Sequence, residues 1–266
     1  MKALLIDTTR CISCRACQVA CKRQHHLDAE KTNFFMTAGY QNPLHRSSRT
    51  WNLITFNESA GPEGFRWEFG RRQCFHCLEP ACVTACPVGA LHKKDSGPVC
   101  YDESRCLGCR YCQIACPFNA PRFEWDSAMP EIKKCDLCDD LIRFGRQPAC
   151  SATCPTGAIT FGDRDKLLHE ARRRITDVPE RYVNHIYGEK EVGGTCILHL
   201  AGIPFEQMGY VGGLPEAPLA RQIEKPMHAV PFVMTSMVTI LGGLFWIIRR
   251  REEVDRKDRE AEKKND

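Results

Sequence analysis

Residues 106–117 read Cys106-Leu107-Gly108-Cys109-Arg110-Tyr111-Cys112-Gln113-Ile114-Ala115-Cys116-Pro117. Cysteines at Cys-x2-Cys-x2-Cys fit on one tight loop, where three thiolates converge and the loop N–H groups turn toward the same point. The fourth cysteine cannot reach that point. Three residues further on, on a short helix that the proline ends, Cys116 is aimed elsewhere. The loop therefore needs a fourth ligand from another part of the chain, and the stretch predicts a fold built from paired cysteine blocks.

Three further blocks supply the partners. They are Cys11-x2-Cys14-x2-Cys17-x3-Cys21, Cys74-x2-Cys77-x4-Cys82-x3-Cys86 and Cys135-x2-Cys138-x11-Cys150-x3-Cys154, so sixteen of the eighteen cysteines lie in four blocks. Blocks two, three and four run directly into Pro87, Pro117 and Pro155. This is the ligand spacing of bacterial ferredoxin [4Fe–4S] sites, four times over. Zinc ribbons separate two Cys-x2-Cys pairs by a longer stretch, and disulfide frameworks do not need the Cys-x3-Cys-Pro ending, so neither explains the pattern. His25, His26 and His76 lie beside or inside the blocks, but each block already holds four cysteines. Cys100 and Cys196 are left over and read as buried packing.

Blocks two and three are close in sequence and joined by residues 88–105, which read as a hairpin around Ser96-Gly97-Pro98. They form an inner unit, and blocks one and four pair across it. By the ferredoxin exchange rule, four ligand sets are expected. Set one is Cys11, Cys14, Cys17 and Cys154; set two is Cys135, Cys138, Cys150 and Cys21. Set three is Cys74, Cys77, Cys82 and Cys116; set four is Cys106, Cys109, Cys112 and Cys86. Short strands flank the blocks at residues 3–7, 99–102 and 157–161, with Gly89-Ala90-Leu91 following block two, as duplicated units would have.

The expected fold class is α+β, with two interleaved ferredoxin-like two-cluster domains and one C-terminal transmembrane helix. Residues 1–21 and 135–165 make the outer unit and 74–134 the inner unit. Residues 22–73 are an inserted β-hairpin, with strands at 49–56 and 65–69 around Gly61-Pro62-Glu63-Gly64. Residues 166–228 form a partner-binding extension that opens with a helix over 165–174, presenting Leu167, Leu168 and Ala171 on one side. Residues 229–248 are the span and 249–266 a charged tail.

The chain has 266 residues and a net charge of +4, too small an excess for a nucleic-acid binder. No glycine-rich phosphate loop, HExxH motif or Ser/His/Asp signature occurs. The chain is read as non-catalytic. Much of its interior would be inorganic, so cluster binding is expected to supply folding free energy. Lys133 and Lys134, beside Cys135, are placed either to raise a cluster potential or to lie in a solvated loop.

Residues 229–248 (AVPFVMTSMVTILGGLFWII) carry no charge and are about 30 Å long as a helix, enough to cross a bilayer core. Only Arg221 and Lys225 precede them closely, whereas Arg249, Arg250, Arg251, Arg256, Lys257, Arg259, Lys263 and Lys264 follow. The positive-inside rule then places the tail in the cytoplasm and the cluster domain in the periplasm, anchored to the inner membrane. MKALLIDTTR reads as a strand and not as an export signal. Clusters assemble on reduced thiols in the cytoplasm, so export in company with a signal-bearing partner is expected.

The blocks, Ile186-Tyr187-Gly188-Glu189-Lys190-Glu191, the following Val192-Gly193-Gly194-Thr195 and the single span together resemble the four-cluster iron–sulfur subunits of respiratory formate dehydrogenases and membrane-bound [NiFe] hydrogenases. The resemblance covers nearly the whole chain. It implies four [4Fe–4S] clusters, since block three has cysteine at all four positions where nitrate reductase relatives carry one tryptophan. It also implies a large catalytic partner of the molybdenum/tungsten-pterin or [NiFe] type. An integral membrane cytochrome b or quinone-reactive subunit would receive the electrons. Other readings are the electron-transfer subunit of a polysulfide or thiosulfate reductase, and a membrane-tethered redox sensor or scaffold.

Overall fold

The computed structural model describes residues 1–32, 41–61, 64–125 and 131–265. Met1–Arg221 form one compact unit and Gln222–Asp266 a second. In chain order the elements are β1 (Lys2–Asp7), α1 (Ala16–Gln24), β2 (Leu53–Gly61), β3 (Gly64–Arg72), α2 (Ala81–Thr84), β4 (Leu91–Lys93), β5 (Val99–Tyr101), α3 (Tyr111–Ile114), β6 (Arg122–Phe123) and β7 (Ile132–Lys133). They continue with α4 (Asp139–Arg143), α5 (Ala149–Ala152), β8 (Ile159–Asp163), α6 (Arg164–Asp177), β9 (Ile197–Leu200) and α7 (Ala220–Asn265).

The unbroken apolar run Ala3-Leu4-Leu5-Ile6 is that of a strand covered on both faces. β1 is the middle of a three-stranded sheet, antiparallel to β8 and parallel to β9. Because side chains alternate along a strand, Leu4 and Ile6 join a core with Cys17, Cys150, Phe75 and Tyr187, while Ala3 and Leu5 pack with Leu167, Leu168 and Ala171 of α6. β1 leads into block one and β8 leaves block four, so their pairing draws the first and last blocks together. α1, which carries Cys17 and Cys21, packs on α5, which carries Cys150.

Blocks two and three meet in the same manner. β4 and β5 form an antiparallel hairpin, and α2 packs against α3. The turn at Ser96-Gly97-Pro98 also touches β1, where Lys2 N–H donates to the Ser96 carbonyl at 2.7 Å. Gly97 has φ +125°, and a Cβ there would lie 2.4 Å from the Lys2 carbonyl oxygen, so only glycine fits.

β2 and β3 pair over nine residues each, from Leu53↔Arg72 to Gly61↔Gly64. The hairpin starts at Leu53, four residues later than the sequence suggested. Residues 47–50 are instead held in a turn, with Thr50 N–H donating to Ser47 Oγ at 3.1 Å and Ser47 N–H to the Thr50 carbonyl at 3.2 Å. Pro62 and Glu63 of the expected turn lie outside the described residues.

In the second unit, α7 is longer than residues 229–248 and continues through the basic stretch to Asn265. It is the one helix among the described residues long and apolar enough to cross a membrane, with mean hydropathy 1.9 over its most apolar window. Phe232, Val238, Phe245 and Trp246 are exposed along it. Thr235 and Thr239 hydroxyls donate to the Pro231 and Thr235 carbonyls, and Ser236 to that of Val233, which lets polar side chains sit in an apolar medium.

Candidate metal centres

The three-cysteine loops of blocks one and three are each entered through a short capped turn. Asp7 accepts from Thr9 N–H at 3.2 Å ahead of Cys11, and Asp102 accepts from Ser104 N–H at 3.1 Å ahead of Cys106. Within the loops the backbone winds left-handed at Ser13, Arg15, His76, Gly108, Arg110, Leu137 and Cys138. That winding turns consecutive amides inward as an anion-binding concavity. Gly108 N–H donates to Cys106 Sγ at 3.4 Å and Leu137 N–H to Cys135 Sγ at 3.3 Å.

A second device recurs after the last cysteine of blocks two, three and four. Cys-Pro-x-(Gly/Asn)-Ala turns through positive φ at Gly89, Asn119 and Gly157, whose N–H groups donate to the carbonyls of Cys86, Cys116 and Cys154. The turn aims the next amide at sulfur in two of them, Ala90 N–H to Cys86 Sγ at 3.2 Å and Ala120 N–H to Cys116 Sγ at 3.3 Å. Sequence reasoning missed this device, although the repeated Gly/Asn-Ala pair after each proline was its signal.

The thiols converge in four groups. Cys11, Cys14, Cys17 and Cys154 line one cavity together with Arg15 and Arg71. Around Cys21 stand Cys150 and Cys138, and Cys135 faces both Cys21 and Cys138. Cys77 faces Cys116, Cys74 and Cys82. Cys112 faces Cys109, Cys86 and Cys106. In each group three cysteines come from one block and one from its partner block.

Burial raises the thiols of Cys11, Cys17, Cys21, Cys77, Cys82, Cys112, Cys116, Cys135 and Cys138, and the neighbouring sulfurs add to it. Cys17 is pushed up to about 11, and Cys112 and Cys138 to about 12. Clustered and largely buried sulfurs lose their protons together only against compensating positive charge, which a thiolate-bound iron core provides. The inward amides and the all-cysteine donor sets therefore fit [4Fe–4S] clusters.

The groups follow one another in a row. Cys17 of the first lies near enough to Cys150 of the second for their charges to interact, and the same holds for Cys135 of the second with Cys74 of the third and for Cys82 of the third with Cys112 of the fourth. Cys14 and Cys109, at the two ends, are the exposed cysteines. Large apolar side chains are exposed there too: Ile12 and Val19 near the first group, and Leu107, Tyr111 and Ile114 near the fourth.

Histidines accompany the sulfurs without replacing any of them. His76 Nδ1 accepts from Val99 N–H at 2.9 Å, so its proton resides on Nε2, 3.5 Å from Cys135 Sγ. His25 Nε2 lies 3.6 Å from Cys138 Sγ and 3.3 Å from Asp136. Lys134 is buried, contrary to a solvated loop, and donates to the carbonyls of Val99 and Cys135. Lys133 is the more open of the two and pairs with Glu131. Cys100 and Cys196 are both buried outside the four groups.

The segment from Ile186 to Thr195 closes the unit. Tyr187 is buried and its hydroxyl donates to the Val211 carbonyl at 2.9 Å, while Thr195 pairs with Cys77 across an antiparallel bridge. Glu191 Oε2 accepts from Gly188 N–H at 2.7 Å.

Two matches to the 4Fe-4S dicluster domain family cover residues 10–90 and 65–164. A protein of Nitratidesulfovibrio vulgaris (strain Hildenborough) is 39% identical over 94% of this chain and 68% of its own length. The hydrogenase-2 operon protein HybA of Escherichia coli O157:H7 is 32% identical, covering 96% of this chain and 86% of its own. The iron-sulfur subunit of the nitrate-inducible formate dehydrogenase of Escherichia coli K12 is 35% identical, over 88% and 81% respectively.

Proposed function

We propose, since the chain belongs to the 4Fe-4S dicluster family of formate dehydrogenase and hydrogenase iron–sulfur subunits, that it relays electrons through its four [4Fe–4S] clusters in the order of sets one, two, three and four. The observation that carries this reading is the succession of facing cysteines, Cys17 with Cys150, Cys74 with Cys135, and Cys82 with Cys112. The ligand sets are those given by the exchange rule, supported by the grouping of the thiols. A bound [4Fe–4S] cluster supplies a one-electron couple and leaves no substrate bond to be made or broken.

The chain's own part is positioning and shielding. The amides of Ala90, Gly108, Ala120 and Leu137 stabilise negative charge on sulfur, and the apolar core around Cys17 and Cys150 keeps water out. The exposed ends at Cys14 and Cys109 suit contact with separate partners. We assign these to a catalytic subunit of the formate dehydrogenase or [NiFe] hydrogenase type and to a membrane cytochrome b or quinone-reactive subunit. The span of α7 anchors the chain in the inner membrane, and the excess of Lys and Arg after residue 248 favours a cytoplasmic tail and a periplasmic cluster unit.

Iron and acid-labile sulfide in the purified chain test the cofactor content, with about sixteen of each per chain expected for four cubanes. Isolation of the native complex then identifies its largest subunit. An oxidoreductase is expected; a complex of signalling proteins alone would overturn the relay. Protease digestion of intact spheroplasts checks the topology, with cleavage restricted to residues beyond the span as the contrary result.

A further inference from the structure

Arg71 stands near the end of β3 at 2% exposure, lining the cavity of Cys11, Cys14, Cys17 and Cys154. Its Nε and Nη1 have no hydrogen-bond partner, and no carboxylate pairs with it among the described residues. Desolvating a guanidinium is costly unless an anion stands against it. The other buried cations are satisfied differently. Arg46 donates to the carbonyls of Phe118 and Asn119, at 2.8 and 2.7 Å, and Lys134 to those of Val99 and Cys135. Arg71 is left facing sulfur, with Cys150 of set two and Cys17 of set one as its strongest neighbours. Those two cysteines share one apolar cluster with Tyr210.

Tyr210 holds the arginine's backbone from both sides. Arg71 N–H donates to the Tyr210 hydroxyl at 3.0 Å, and that hydroxyl donates to the Arg71 carbonyl at 3.1 Å. Tyr210 is itself buried and lies in the segment beyond β9, far from the cysteine blocks in sequence. A residue of the C-terminal extension thus fixes a cation placed by the inserted hairpin.

We propose that Arg71 is a counter-cation shared by sets one and two, which stabilises the reduced state of both clusters, and that Tyr210 is its positioning residue. The inference rests on the relay reading above. Reduction adds one electron, and so one negative charge, to a cluster without bond making or proton uptake. A fixed buried cation favours that added charge and raises the potential. Sharing between two neighbours also offsets the repulsion that reducing both would create.

The test is an EPR-monitored redox titration of the iron-replete full-length chain, with the signals of the two ends assigned through Cys14→Ser and Cys109→Ser. In Arg71→Gln the reduced-to-oxidised ratio at sets one and two is expected to fall about tenfold at a given potential, about 59 mV for a one-electron couple. Sets three and four stay within about twofold, or about 18 mV. Arg71→Lys keeps wild-type potentials, and Tyr210→Phe shifts the same two sets in the same direction by less. Unmoved potentials, or an equal shift in all four, overturn the proposal. Where Arg71→Gln loses iron, full iron in Arg71→Lys supports the charge requirement, and loss in both variants overturns it. Wild-type protein without clusters at sets one and two overturns the relay and this assignment together, whereas four clusters whose potentials ignore Arg71→Gln overturn the assignment alone.

Discussion

His76 Nε2 lies 3.5 Å from Cys135 Sγ, so a side chain set between two cysteines of block two donates to a cysteine of block four. The orientation is not free, because Val99 N–H occupies Nδ1 at 2.9 Å. Substitution His76→Leu removes the donor to sulfur and strands a buried amide. A loss of about 1–3 kcal/mol is expected from that amide, together with a lower potential at set two. Thermal unfolding and redox titration of the iron-replete chain check it; an unchanged set-two potential would show that the contact does not tune the sulfur.

Ligand exchange separates the proposed sets from a block-by-block assignment. Cys86→Ala, a change in block two, is expected to damage the cluster held by Cys106, Cys109 and Cys112. Cys116→Ala, in block three, is expected to damage the one held by Cys74, Cys77 and Cys82. Each costs about four irons or converts a four-iron signal to a three-iron one. If each substitution instead perturbs the cluster of its own block, as read by EPR, the pairing is wrong.

Asp7 is fully buried and accepts from Thr9, from Tyr182 Oη at 2.8 Å and from Arg174 Nη1 at 3.0 Å. It ties the end of β1 to α6 immediately ahead of block one. Asp7→Ala leaves the half-buried Arg174 without that partner, although Glu170 still pairs with it at 2.8 Å. Removing one member of a buried pair costs about 3–5 kcal/mol, and the remaining Glu170 contact puts the expected loss at the low end, about 3 kcal/mol. A drop in the unfolding midpoint smaller than that of an exposed control such as Asp140→Ala would contradict this.

Burial, with the positive charge of Arg71 adding to it, pushes the His199 imidazole down to about 3. An unfolded histidine titrates at about 6.5, so between those values the unfolded chain binds a proton that the folded chain refuses. Stability is therefore complete above about pH 6.5 and declines as pH falls toward 3, by up to about 1.4 kcal/mol per pH unit for this group. Replacing His199 with Phe, among the rings of Phe75 and Tyr210, should flatten that acid limb. Parallel acid limbs for variant and wild type in unfolding measurements from pH 7 to 5 would count against the assignment.

Some of this was legible in the residues because it is local. The Cys-x2-Cys-x2-Cys-x3-Cys-Pro spacing dictates what one loop and one short helix can do, and an uncharged run of helix length is apolar enough to cross a bilayer whatever surrounds it. The 165–174 helix was readable for the same reason, since Leu167, Leu168 and Ala171 recur on one face. The post-cysteine turn was equally local, but its signal is a single Gly or Asn spread over three blocks.

Lys133 and Lys134 mark the limit. Adjacent and chemically identical, they differ in the structure because successive side chains at the end of β7 point to opposite sides, leaving one beside Glu131 and burying the other among sulfurs and carbonyls. Arg71 and Arg72 divide likewise, one lining the set-one cavity and the other donating to the Met208 carbonyl at 3.4 Å. The sequence alone determined the donor atoms, the cluster type they suit and the presence of a membrane-length helix, since spacing and composition act over a few residues. Only the tertiary structure decided which buried cation faces which thiol set, and that the sets stand in a row, because burial and charge proximity join residues that the chain keeps far apart.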